Sequence, residues 1–265
     1  ISPDDVSALD RSGAEVVFIA LHGLFGEDGQ VQRMCERRGV PYVGSRPQAS
    51  GLAMDKAASK AFFERAGLAV PRWAMPESAQ SGDEVADLLK GFPPPCVVKP
   101  VDGGSSVDVT IARDAAARDA AAWDLLGRYG RALVEEFVAG REMTVGILAE
   151  RALPLMEIRP ARDFYDYFAK YEDDATEYLV RPKVRPGLAE RLAEQALAAH
   201  KALGCRDLSR VDFVVDDDGH SHVLEVNTIP GFTSHSLVPK AAAAAGVDFD
   251  ELCERLVMMA LERGS

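Results

Sequence analysis

Residues 209 to 230 read SRVDFVVDDDGHSHVLEVNTIP, two runs of strand-forming residues joined through Asp218-Gly219. Asp-Gly is a strong two-residue hairpin signal, because both central positions of such a turn need positive φ. A loop at Asp218-Gly219 sets Asp212 opposite Glu225 and Arg210 opposite Asn227 on one face, with Val211, Phe213 and Val215 against His222, Leu224 and Val226 on the other. The second face is expected to be core. Two carboxylates facing each other repel, and burial raises at least one pKa unless a cation or a donor stands between them. Asp212, Glu225 and Asn227 offer oxygen ligands of the kind that suit Mg²⁺. The alternative is a solvated hairpin face with ordinary charged pairs.

A metal-bound nucleotide here would need a phosphate cradle, and neither a Walker loop nor the Rossmann glycine pattern occurs in the chain. Asp102-Gly103-Gly104-Ser105-Ser106 offers another kind, since adjacent glycines let backbone N–H groups point at an anion, and Lys99 sits just before it on a strand. The same residues also read as a plain hairpin turn, with Lys99 guarding an edge strand. Lys56 by itself reads as a lysine on a helix surface. Glu135 and Glu142 flank a strand end at Phe137-Val138, where backbone groups can meet a base and carboxylates a ribose; taken alone they read as surface charges.

Around these segments the pattern is mixed α and β. Ala14 to Leu21 has the length of a buried strand. A helix over Gly29 to Arg38 with Asp28 as its cap leads to a short strand at Pro41 to Val43, giving a strand, helix, strand unit. Met54 to Ala66 reads as one helix stopped by Gly67. Strands at Cys96 to Lys99, Val107 to Ile111 and Ala132 to Val138, with a helix from Asp114 to Arg128, form a small α+β lobe. A further strand runs from Met143 to Ala149. A long helix from Pro186 to Leu203 presents Leu188, Leu192, Leu197, Ala199 and Leu203 on one face.

The 265 residues are 47% hydrophobic and 27% charged, which excludes the disordered and fibrous classes and is enough for two compact lobes or part of three. The formal net charge of -12 and the absence of a basic stripe argue against a nucleic-acid partner. Apolar stretches such as Ala241 to Val247 fall far short of the roughly 20 residues that cross a bilayer, so no membrane partner and a cytoplasmic location are expected. Cys35, Cys96, Cys205 and Cys253 are scattered without metal or disulfide spacing, and reduced thiols are expected. The chain opens at Ile1 in mid-pattern, from which residues upstream are expected.

Taken in order, HGLFGEDG (22–29), YVGS (42–45), MDK (54–56), VKP (98–100), GSSV (104–107) and VEEFVAGRE (134–142) run through the first half of the chain. FYDYFAKY (164–171), RVDF (210–213) and LEVNTIPGFTSHSLVPK (224–240) complete a series that resembles the D-alanine–D-alanine ligases of the ATP-grasp superfamily over nearly its whole length. The resemblance implies an ATP-grasp fold, α/β and α+β, in which a truncated N-terminal α/β lobe precedes two α+β lobes that clamp ATP. The lobes would be residues 1–55, 56–139 and 140–265, the last carrying the metal and substrate sites.

The same resemblance implies roles. Lys56 and Lys99 would contact ATP phosphates, Glu135 and Val138 the adenine edge, Phe137 the base, Glu142 the ribose, and Lys170 the terminal phosphates from a lid spanning about 164–183. Asp212, Glu225 and Asn227 would hold two Mg²⁺ ions, with Mn²⁺ as a substitute. Arg210 and the Gly231 N–H would form the oxyanion site, Ser236 and Leu237 would hold the second D-alanine carboxylate, and His22 and Tyr171 would lie by the substrates, with Ser105 closing the loop-to-loop contact. The activity implied is ATP-dependent joining of two D-alanines through a D-alanyl phosphate for peptidoglycan, in a protein whose family commonly dimerises. An altered acceptor, or a silent nucleotide-binding homologue, are the other readings. The sequence departs from the family pattern at Phe168, where Glu is common, and at Asp108, where Gly is common. The AKY pattern at Tyr171 favours the dipeptide over the D-lactate ester.

Overall fold

The computed structural model describes residues 7–104, 107–159 and 176–264. Near its start, α1 (Ala8–Ser12) and α2 (Gln30–Arg38) enclose a small cluster of Leu9, Ile19, Val31, Cys35 and Tyr42. The run Ala14 to Leu21 is not the full strand expected. Val17 alone bridges Tyr42 in parallel, bonded to Pro41 and Val43 at 2.9 Å each, and one bridge lacks the repeated bonds of a ladder. The helix expected from Met54 to Ala66 is α4 (Lys56–Arg65), which starts two residues later because Met54 ends a separate helix, α3 (Pro47–Met54). Asp55 between them is extended, and its carboxylate accepts from Ala58 N at 2.8 Å, capping α4.

Strands β1 (Trp73–Ala74), β2 (Cys96–Lys99), β3 (Thr110–Ala112) and β4 (Leu133–Glu136) form a four-stranded antiparallel sheet in the order β1-β4-β2-β3. Helices α5 (Gly82–Lys90) and α6 (Ala115–Tyr129) cover one face, packing Val85, Leu89 and Leu125 on Cys96, Val98 and Val134. Side chains alternate along a strand, so Val97, Lys99 and Glu135 are left on the other face.

The larger sheet contains β5 (Arg141–Leu148), β6 (Arg151–Ala152), β7 (Met156–Arg159), β8 (Glu177–Val180), β9 (Leu208–Val215) and β10 (Ser221–Asn227). Its order is β10-β9-β5-β7-β8, with β6 folded back on β5. Helix α7 (Leu188–Ala202) lays Leu188, Leu192, Ala196 and Ala199 on Val145, Ile147, Val211 and Phe213. Leu197, expected on that stripe, lies at its margin and is partly buried. On the opposite face, α8 (Leu237–Ala244) and α9 (Phe249–Arg263) cover the end that carries Leu148, Met156 and Leu208. The other end, with Glu142, Asp212 and Val214, faces the small sheet across a cleft. Helix α4 spans the gap, since Phe63 joins the large sheet's core while Ala57 packs on Val101 and Leu133.

Two departures in the β9–β10 hairpin offset each other. The loop is three residues, Asp217 to Gly219: Asp216 N donates to His220 O and Gly219 N to Asp216 O, both at 3.0 Å. Gly219 takes φ 91°, and Asp218 is not left-handed, so the two-residue turn is corrected. Val215 therefore pairs with Ser221 and Phe213 with Val223, one residue out of the expected register. A bulge between Val223 and Glu225 absorbs Leu224 and restores the expected pairs, Asp212 with Glu225 and Arg210 with Asn227. The core residues of β10 are thus Val223 and Val226, not His222 and Leu224. Val223→Glu is expected to cost about 3 kcal/mol or more and Leu224→Glu under about 1 kcal/mol. Urea unfolding of the two variants checks this, and equal losses would remove the bulge.

Candidate active site

Two cavities adjoin between the sheets. The first, of about 200 Å³, lies between β2 and β4 on one side and β5, β9 and β10 on the other. Lys56, Lys99, Glu135, Phe137, Val138 and Glu142 all line it, as do Asp212 and Glu225. Its apolar walls include Val97, Met143, Ile158 and Leu224, the last turned there by the bulge. The second, of about 640 Å³, is lined by His22, Arg210, Asn227, Gly231, Ser236 and Leu237. Lys56, Gly103, Gly104 and Glu225 line both. Every expected site residue among the described ones falls in these two spaces. Ser105, Lys170 and Tyr171 lie outside the described residues, as does Phe168.

Cations crowd the junction. Lys56 starts α4, 8% exposed, with its Nζ donating to Gly103 O at 2.5 Å and standing 3.9 Å from Glu225. Burial pushes its pKa down, with Glu225 opposing. One turn along, Lys60 is fully buried and 2.9 Å from Glu135 Oε1, while Lys99 is 2.8 Å from Glu135 Oε2. Burial would raise the Glu135 carboxyl, but Lys60 and Lys99 outweigh it and hold the group below the usual carboxylate range. The Glu135 side chain is therefore turned toward the two lysines. Sequence reading passed over Lys60, although its spacing from Lys56 places both on one helix face.

Asp212 receives a bidentate pair from Arg210, 2.9 and 2.7 Å, and the Thr144 hydroxyl at 2.6 Å. Asn227 Oδ1 accepts from Ile229 N at 2.9 Å. Two carboxylates and an amide oxygen on neighbouring strands are hard oxygen donors of the kind a divalent cation takes, and in this structure Arg210 holds both oxygens of Asp212 while Ile229 N holds the amide oxygen of Asn227. The exposed group Asp216, Asp218 and His220 at the hairpin tip is separate from this site.

Local structure explains the loops. In HGLFGEDG, a Cβ at Gly26 would come within 2.1 Å of Leu21 O, so the loop closes only on glycine. That closure brings Glu27, also passed over in the sequence, to 2.6 Å from Gly23 N and 3.8 Å from His22 Nδ1. The hydrogen bond that the His22 ring donates to Glu27 raises the His22 pKa against burial. Asp108 takes φ 57°, a left-handed conformation that favours glycine, and its carboxylate binds Arg128 and Tyr129 at 2.6 Å each. Arg131 joins the cap of α4 to the glycine loop, 3.0 Å from Asp55 and 2.6 Å from Asp102. Ser236 precedes α8 with its hydroxyl turned back to the loop, accepting from Thr233 N at 3.1 Å rather than from the helix, and a Cβ on Gly231 would meet that hydroxyl at 3.2 Å.

Two antiparallel sheets that hold a lysine-rich cleft between them, with paired acids at its floor, define an ATP-grasp protein. Known proteins narrow this. The model for the D-ala D-ala ligase C-terminus matches residues 62–258, and that for the D-ala D-ala ligase N-terminus matches residues 4–45. A D-alanine–D-alanine ligase of Anaeromyxobacter sp. (strain Fw109-5) is 47% identical over 245 residues, covering 92% of this chain and 79% of that protein. One from Geobacter sulfurreducens is 42% identical over 262 residues, 98% of this chain and 82% of its own length. The D-alanine–D-alanine ligase of Bacillus anthracis complexed with ATP superposes with TM-score 0.84 at 34% identity, covering 99% of this chain and 84% of that one. The VanG D-Ala:D-Ser ligase of Enterococcus faecalis gives TM-score 0.83 at 30% identity, over 93% and 73%. This chain belongs to the D-alanine–D-alanine ligase family.

An NMR titration is expected to place the His22 midpoint above its ordinary value of 6.5, and Glu27→Gln to lower it. An unchanged midpoint in that variant would remove Glu27 as the cause.

Proposed function

We propose that this protein joins two D-alanines into D-alanyl-D-alanine, using ATP and passing through a D-alanyl phosphate, to supply peptidoglycan synthesis. The observation that carries the reading is the shared wall of the two cavities: Lys56, Gly103, Gly104 and Glu225 border both. A nucleotide in the narrower, apolar-walled space would bring its terminal phosphate to that wall. A small zwitterion in the wider one would meet it there.

A carboxylate is a poor electrophile. In the first step an oxygen of the first D-alanine carboxylate attacks the terminal phosphorus and the bond to ADP breaks, Lys56 and Lys99 offsetting charge on the group in transit. Mg²⁺, which Asp212, Glu225 and Asn227 would hold, supplies further neutralisation of phosphate charge when bound. The deprotonated amine of the second D-alanine then attacks the acyl carbon, and the bond to phosphate breaks as the peptide bond remains. Arg210 and the Gly231 N–H would face the oxyanion between these events. The start of α8 at Ser236 and Leu237 suits the second carboxylate, because unpaired N–H groups and the helix dipole favour an anion. Glu27 would hold the His22 ring against the first substrate. Among the described residues no helix is long and apolar enough to cross a membrane, and a cytoplasmic location fits the proposed supply role.

The acceptor is the open part of this reading, since a D-Ala:D-Ser ligase shares the fold. Phosphate release from ATP, followed by mass spectrometry of the products, is expected to require D-alanine and to yield the dipeptide. Release only with D-serine or D-lactate as acceptor would reassign it, and no release with any of them would sink the ligase reading. Glu225→Gln is expected to lower kcat by about 10²-fold or more with the melting temperature kept. Retained turnover in Mg²⁺ would withdraw the metal assignment.

A further inference from the structure

Lys60 lines neither cavity, yet its ammonium is wholly buried and points at the carboxylate that binds Lys99. Its side chain is 0% exposed and that of Glu135 3%, while Lys99 keeps 12%. Glu135 therefore lies between two ammoniums, one sealed in the core and one at the wall of the first cavity. The Lys60 contact is electrostatic at 2.9 Å and lacks hydrogen-bond alignment. Replacing a whole buried ion pair by apolar side chains commonly leaves the fold as stable or more so, so stability alone does not call for a buried Lys60–Glu135 pair, although removing one partner alone leaves a buried charge uncompensated. The use of Lys60 lies in the charge count. With Glu135 and Lys99 alone the pair is neutral, and the lysine that faces the cavity is already satisfied. With Lys60 the trio carries one net positive charge, and Lys99 is the member at the cavity wall.

We infer that Lys60 is a positioning residue for nucleotide binding: it satisfies Glu135 from within the core, so that Lys99 stays fixed by that carboxylate and keeps a positive charge for a phosphate. This rests on the nucleotide reading of the cleft. The arrangement also explains why Glu135 is tolerated beside an anion site, because its charge is spent inward. Burial pushes the Lys60 pKa down and Glu135 pushes it back, which is consistent with a shared proton-free carboxylate held by both lysines. Geometry alone sets the roles, since Lys60 cannot reach the cavity and Lys99 lines it.

The test reads ATP separately from D-alanine. Binding of a non-hydrolysable ATP analogue with Mg²⁺ is measured by titration calorimetry on the full chain, with steady-state KM values and melting temperatures alongside. Lys60→Met is expected to weaken analogue binding and raise the ATP KM by about tenfold, with the D-alanine KM within about twofold. Lys60→Arg, which keeps the charge, is expected to bind within about threefold of wild type. The double variant Lys60→Met with Glu135→Gln leaves no unpaired buried carboxylate but also removes the group that fixes Lys99, so it is expected to regain melting temperature while analogue binding stays about tenfold weak, whereas a merely structural Lys60 would regain both. Analogue binding unchanged in Lys60→Met, or a double variant that regains wild-type affinity together with its melting temperature, would overturn the inference. Should Lys60→Met fail to fold, the double variant, which leaves no unpaired buried carboxylate, carries the decision by itself. A wild type that does not bind the analogue would instead overturn the nucleotide reading.

Discussion

Asp212 and Glu225 stand opposite each other on adjacent strands, and like charges at that spacing are tolerated only when cations stand against them. Arg210 meets Asp212 from its own strand at 2.7 Å, and Lys56 approaches Glu225 from another part of the chain at 3.9 Å. Much of the surrounding structure serves to bring Lys56 there. Asp55 breaks what would otherwise be one helix and caps the second, so that Lys56 begins α4 at the mouth of the glycine loop. Arg131 then bonds both Asp55 and Asp102, tying the helix cap and the loop to one guanidinium. Removal of the paired acids would leave these contacts without a common target.

The hairpin shows how far sequence reading reaches. Alternation and the Asp-Gly signal put Asp212 opposite Glu225, and the structure agrees, but the turn is one residue longer and a bulge cancels the shift. Turn type depends on which residue takes positive φ, and bulges depend on packing on both faces, so neither is visible in local composition. The cost of missing them fell on Leu224, read as core and found on the wall of the first cavity. At Asp55 the signal was present, an aspartate ahead of a helical run, but Met54 continued the apolar pattern and hid the break. Lys60 was hidden for a different reason. A lysine on a helix reads as solvent-facing, and only the fold reveals Glu135 across the gap.

The N-terminal segment contributes to the site from outside the two sheets. His22 and Glu27 line the second cavity on a loop that closes over Gly26, and that loop must be held against the large sheet to be useful. A buried junction does this. Asp207, 5% exposed, accepts from Gly44 N at 2.9 Å and from Arg263 at 2.6 and 3.0 Å. Arg206 donates to Gly44 O at 2.7 Å and lies over the Tyr42 ring. One turn before β9 thus joins the early segment to the last helix. The hydrogen bonds are charge-assisted and largely screened from water, which makes the junction stiffer than a surface contact.

The charge of the whole chain runs against the proposed substrate. A formal net charge of -12 repels a nucleotide polyphosphate at long range, so global steering cannot account for its capture. Salt limits that repulsion to about 8–10 Å, and within that distance the local charges decide. There the cleft presents Lys56, Lys99 and Arg210, with Glu135 compensated from behind by Lys60. Low-dielectric walls such as Met143, Ile158 and Leu224 strengthen each of those charges relative to the same groups in water. The apolar lining and the buried lysine therefore act together, one by lowering the local dielectric and the other by offsetting the Glu135 carboxylate from within the core.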